Sequence, residues 1–131
     1  MIVLDTHVWV WWIAASKELS RRARERIESG MGTGAIYVSS ISCWEVGMLV
    51  SRGRLELTMD AADWIARCEA LPFLSFVPVD NEVALRSTRL PGRLHDDPAD
   101  RIIIATALSL GATLVTKDRR IRAYEHVPTV W

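Results

Sequence analysis

The sequence predicts an α/β fold built on a parallel sheet, from three observations. Strand-like and helix-like stretches alternate along the chain, as they do when each strand returns to the sheet through a helix. The first strand-like stretch, Ile2-Val3-Leu4, is continuously apolar, the pattern of a strand covered on both faces. Half of the 131 residues are apolar, enough for one compact domain spanning residues 1–131 to build a hydrophobic core.

The elements follow in order. After Ile2-Val3-Leu4 the chain meets Asp5 and enters a helical stretch around Val8–Ala14. A second helix runs from Ser20, a candidate N-cap, to Ser29, with Gly30 as its stop. Gly30, Gly32 and Gly34 give a flexible connection to a strand over Ala35–Ser39. A helix over Ser42–Leu49 opens with Ser42 and Glu45 in capping-box spacing and ends at Arg52-Gly53-Arg54. Another, Asp60–Ala70, is closed by Pro72. Phe76–Val79 reads as a short strand whose Pro78 favours a sheet edge or a strand end. Asn81–Leu90 is helical and is broken by Pro91-Gly92. Asp97 fits an N-cap and Pro98 the first helical position of a strong helix that continues to Leu110 and stops at Gly111. Thr113–Thr116 is a strand, Arg120–Tyr124 a short helix, and Pro128–Trp131 a final strand.

Composition narrows the classes of function. Sixteen basic and sixteen acidic residues balance, so any polyanion partner must be met by local positive patches. Cys43 and Cys68 make no disulfide framework and read as buried thiols in a reducing compartment. The N-terminus has an acid at position 5 and no basic n-region, which is not the pattern of a signal peptide. The apolar run Val8–Ala15 is far shorter than the roughly 20 residues that span a bilayer. A cytoplasmic protein with no membrane association is the expectation. No P-loop, dinucleotide-binding glycine fingerprint or serine elbow is present, and His7, His95 and His126 are scattered without zinc spacing.

The informative residues are acids. Asp5 follows the first strand and Asp118 follows Thr113–Thr116, and in parallel sheets sites form at the carboxyl ends of strands. Glu45 is the one charge in the apolar stretch Cys43–Val50, where a buried carboxylate is costly unless paired, protonated or bound to metal. Asp100 lies in the first turn of a helix apolar nearly all round, hence buried. Each acid alone also has a purely structural account: a loop or N-cap acid, a capping glutamate reaching Ser42, or an acid favoured by the helix dipole. If the four converge, like charges about 4 Å apart repel by roughly 4 kcal/mol at an effective dielectric near 20. They would then take up protons or bind a hard divalent ion, and oxygen-only donors suit Mg²⁺ or Mn²⁺.

Four stretches, "VLDTHVWVWW", "SSISCWEVGML", "HDDPADRIIIATAL" and "GATLVTKD", resemble in content and order those of PIN-domain proteins, specifically the toxin ribonucleases of VapBC-type toxin–antitoxin pairs. The resemblance covers essentially the whole chain. It implies a three-layer fold with a twisted central parallel sheet and helices on both faces. It assigns the family's catalytic and metal-binding acids to Asp5, Glu45, Asp100 and Asp118, with Thr116 and Thr6 in support and Asp97 as N-cap and outer member. It further implies Mg²⁺- or Mn²⁺-dependent cleavage of RNA, a homodimer, and silencing by a cognate antitoxin that brings a basic side chain near the acids. The alternatives are a PIN-type nuclease in RNA processing outside a toxin pair, or a non-catalytic module whose acids grip a basic partner.

Arginines cluster in several places and read mostly as solvated faces; the group Lys117, Arg119, Arg120 and Arg122 adjoins Asp118, and the alternative for it is that some of these cations hold RNA phosphates. Six tryptophans are many for this length. Trp9, Trp11 and Trp12 cannot all face one core from one short helix, so at least one is expected on a partner surface.

Overall fold

A computed structural model describes all residues from Met1 to Trp131. In chain order it comprises β1 (Ile2–Leu4), α1 (Thr6–Ile13), α2 (Arg21–Met31), β2 (Ile36–Ser39), α3 (Ser40–Ser51), α4 (Ala61–Glu69), β3 (Leu74–Val77), α5 (Asn81–Ser87), α6 (Pro98–Leu110), β4 (Thr113–Val115), α7 (Arg119–Arg122) and β5 (Thr129–Val130). All five strands are parallel, in the order β3-β2-β1-β4-β5.

The sheet is covered on both sides because its central strands are apolar on both sides. Ile2 and Leu4 of β1 join a core with Val8 and Trp9 of α1, Ile27 of α2 and Trp64 of α4. Val3, between them in sequence, points the other way, into a core with Leu114, Val83 of α5, Ile103 and Ile104 of α6, and Ile121 of α7. This is the three-layer architecture that the sequence led us to expect. No helix is long and apolar enough to cross a membrane.

Strand order reverses at β1: β2 lies on one side and β4 on the other, so the carboxyl ends of β1 and β4 open onto the switch point of the sheet. The register pairs Leu4 with Val115, and the Asp5 amide donates to the Val115 carbonyl at 3.0 Å. Asp5 and the Thr116–Asp118 segment therefore leave the sheet side by side.

The predicted caps of α6 are present: Asp97 Oδ1 accepts from the Asp100 amide, Pro98 begins the helix, and Gly111 ends it at φ +64°. Three expectations need correction. First, α3 is not opened by a Ser42–Glu45 capping box. Strand β2 runs directly into the helix, and Ser39 is its cap, accepting from the Ile41 amide at 3.2 Å. Ser42 and Glu45 thus lie inside α3, with their side chains free for other partners. Second, Gly30 does not stop α2, which continues to Met31. Gly30 serves close packing instead, since a Cβ there would lie 2.9 Å from Ile36 Cγ1. Third, none of the three α1 tryptophans is fully exposed. Trp9 is buried against Trp64 and Phe76, Trp11 packs on Trp131, and Trp12 on Phe73. Trp44 of α3 is the exposed tryptophan, at 59%. β3 is an edge strand, as Pro78 favours, but it runs Leu74–Val77 rather than Phe76–Val79, because the proline lies beyond its end and not within it. Cys43 and Cys68 are free thiols, the second buried and the first half-buried.

The two-sided core makes α6 the main cover of one face. Ile103→Ala, at a fully buried position, is expected to lower stability by about 2–5 kcal/mol. A reduced urea midpoint with unchanged slope is the expected reading.

Candidate active site

The switch point is a cleft of about 560 Å³. Five carboxylates line it: Asp5, Glu45, Asp97, Asp100 and Asp118. They come from the end of β1, the second turn of α3, the start of α6 and the segment after β4. His7, Trp11, Lys117 and Arg120 complete the polar and aromatic walls.

Asp5 is the most deeply placed, 9% exposed. As N-cap of α1 it accepts from the Thr6 amide at 2.8 Å through Oδ1, and Oδ2 accepts from Thr116 Oγ1 at 2.7 Å. Both oxygens are therefore held by neighbours on two adjacent strands' ends. Burial pushes its carboxyl above the usual carboxylate range, against the pull of those two hydrogen bonds and of His7.

Thr6 joins Asp5 to Glu45. Its hydroxyl donates to Glu45 Oε1 at 2.5 Å and lies 2.8 Å from Ser42 Oγ. This is where the two residues of the expected capping box are engaged. Glu45 is raised to about 7, first by burial and then by the negative charges of Asp5, Asp100 and Asp97, with the Thr6 bond opposing.

Asp100 sits in the first turn of α6, positioned by the Asp97 cap. Burial, together with Asp5 and Asp97, raises its carboxyl, while His95 counteracts. His95 Nε2 lies 2.6 Å from Asp100 Oδ2. Its other ring nitrogen is buried without a partner, so this contact is the ring's sole polar anchor. The loop carrying His95 is tied to α6 by Arg101, whose guanidinium donates to the carbonyls of Ser87, Leu94 and His95. Asp118 caps α7, with Oδ1 accepting from the Arg120 and Ile121 amides at 2.8 and 3.2 Å. Its own amide donates to Thr116 Oγ1 at 3.1 Å, so Thr116 links Asp5 to Asp118.

Every acid singled out in the sequence thus faces one cleft, and Thr6 and Thr116 bond to them. Sequence reasoning treated His95 as scattered and passed over Ser42's link to Thr6. The spacing of His95, five residues before Asp100 and across the Pro98 turn, was the available signal.

The donor set fits a hard divalent cation in chemistry: all-oxygen, negatively charged, and desolvated enough that three of its members hold protons more tightly than usual. The acids do not form a closed cage of three or more ligands on their own. They stand around an open cleft.

The chain matches the family model for the PIN domain over residues 2–127. It is 36% identical to Ribonuclease VapC22 of Mycobacterium tuberculosis over 132 residues, covering 99% of this chain and 98% of that protein. Among solved structures, VapBC2 from Rickettsia felis, bound to a promoter DNA fragment, matches with a TM-score of 0.71 at 18% identity, over 99% of this chain and 98% of the other. DNA-bound VapBC from Salmonella typhimurium matches at 0.68 and 21%, over 98% and 96%. A toxin–antitoxin complex from Klebsiella pneumoniae matches at 0.65 and 18%, over 100% and 97%.

Raised carboxyl pKa values mean that the metal-free fold is favoured with those groups protonated. Their contribution is fully present below the ordinary carboxylate range, about pH 4, and is lost as pH rises through the folded values. The melting temperature in chelator should therefore fall from about pH 5 to about pH 7.5, and Glu45→Gln should flatten that fall. A wild-type profile that rises over this range would contradict the assignment.

Proposed function

The chain belongs to the PIN-domain family, and from that premise we propose that it is a toxin endoribonuclease of a toxin–antitoxin pair, using Mg²⁺ or Mn²⁺ to cleave RNA by attack of water on the phosphodiester. The observation that carries the reading is the gathering of Asp5, Glu45, Asp100 and Asp118 from four separate segments into one cleft at the sheet's switch point. The 36% identity to a ribonuclease over nearly the full length of both chains supports the same activity.

Asp5, Asp100 and Asp118 would hold the ion. When bound, it supplies positive charge beside the scissile phosphate and lowers the pKa of the attacking water. Glu45 ligates it or orients the water. Burial and the neighbouring acids raise the Glu45 carboxyl to about 7, and a bound cation would lower it, leaving Glu45 ionised to ligate the ion or orient the water. Thr6 occupies Oε1, which leaves the other oxygen for that task. Thr116 and the Thr6 amide fix the orientation of Asp5, and His95 that of Asp100. Asp97 acts through Asp100 by capping α6.

The partners in this reading are an RNA substrate, a cognate antitoxin and a second copy of the chain. The complexes among the structural neighbours support the antitoxin, and exposed Trp44 supports a face covered by a protein partner.

Purified protein should cut RNA with Mn²⁺ and not with chelator. Asp5→Asn should keep the circular dichroism spectrum and lose roughly 100-fold or more in rate, since even outer partners of a metal ligand are worth 10–100-fold. Cleavage at the wild-type rate in the variant, or without divalent metal, would refute the mechanism.

A further inference from the structure

The cleft contains one cation placed between its acids. Arg120 Nη2 stands 3.8 Å from Asp100 Oδ2 and 3.6 Å from Asp118 Oδ2, bridging carboxylates from α6 and from the cap of α7. Lys117 lines the same cleft but is engaged elsewhere, paired with Glu18 at 3.1 Å and lying over the Trp11 ring. Arg119, next in sequence, takes part in none of the protein's ion pairs.

Arg120 is fixed at its backbone and loose at its tip. Its amide donates to Asp118 Oδ1 at 2.8 Å, which anchors its Cα beside the acids. Its side chain is 62% exposed, and both guanidinium contacts are longer than hydrogen bonds, so the pairing is weak. Rotation of the side chain alone can open it, with α7 undisturbed. A guanidinium does not give up its proton, so crowding by a second cation can be relieved only by movement. Its planar fork also suits a phosphate.

We propose that Arg120 is a built-in counter-ion that takes the cation's place between Asp100 and Asp118, competes with divalent metal for them, and on yielding turns to a phosphate of the RNA. The proposal rests on the metal-dependent ribonuclease reading of the cleft. It gives Arg120 two opposed effects: it weakens metal binding in the free protein and strengthens RNA binding in the loaded one.

Calorimetric titration of RNA-free protein with Mn²⁺, for wild type, Arg120→Gln and Arg119→Gln, tests the first effect. Arg120→Gln should tighten Mn²⁺ binding about three- to tenfold, the worth of two long ion pairs made by a solvent-exposed guanidinium, while Arg119→Gln leaves it unchanged. The KM for an RNA oligonucleotide at saturating Mn²⁺ should rise several-fold in Arg120→Gln. Unchanged or weaker Mn²⁺ binding in that variant overturns the counter-ion, and equal tightening by Arg119→Gln overturns it in favour of net charge. An unchanged KM overturns the transfer to phosphate. A wild type that binds no Mn²⁺ overturns the metal site and this proposal together. Mn²⁺ binding without RNA cleavage overturns the ribonuclease reading, with the counter-ion still decided by the titration.

Discussion

The carboxylate of Asp5 is buried at the point where strand order reverses, and the surrounding structure is arranged around keeping it there. Burying an ionised carboxylate costs several kcal/mol unless hydrogen bonds or an opposite charge compensate. The protein supplies two bonds to Asp5, from the Thr6 amide and the Thr116 hydroxyl, and no cation of its own in contact. Those bonds do not offset burial, and the carboxyl remains raised. The same deficit extends through Thr6 to Glu45 and across the cleft to Asp100. Protonation relieves this cost group by group, and in the proposed reading a divalent ion would relieve it for the set together.

The rigid parts of the fold bear this load. The β1–β4 register places Asp5 beside Thr116, and α6, apolar on its inner face and sharply capped at both ends, presents Asp100 from the opposite wall. The hydroxyl links are short and tie together segments distant in sequence, so the acids are preorganised with little freedom to relax away from one another. Arg120 is exposed, stands beside Asp100 and Asp118, and is not built into the core.

Local chemistry was the legible part of the sequence. The Asp97-Pro98 start and Gly111 end of α6 were readable because cap residues act through their own backbone neighbours. The acids at the strand ends were readable because apolar runs stop at them. What failed depended on partners distant in sequence. Ser42 and Glu45 have capping-box spacing, yet Ser39 took the cap because β2 enters α3 with no intervening loop, and Thr6, 36 and 39 residues away, took both side chains. Gly30 reads as a helix stop, but its role is set by contact with Ile36. The partial cover of Trp11 depends on Trp131 at the far end of the chain. His95 is the exception, since its partner Asp100 is only five residues away: its placement needs the loop before Pro98 to fold back onto α6 through Arg101, and spacing alone hints at that without fixing it.

The central claim is that these buried acids share one divalent cation, and diffraction from crystals soaked in Mn²⁺ tests it most directly. The account predicts an anomalous peak at the manganese edge among Asp5, Asp100 and Asp118, with Glu45 facing it and the Arg120 guanidinium displaced. No peak in the cleft at saturating Mn²⁺, with Arg120 still bridging Asp100 and Asp118, would contradict it.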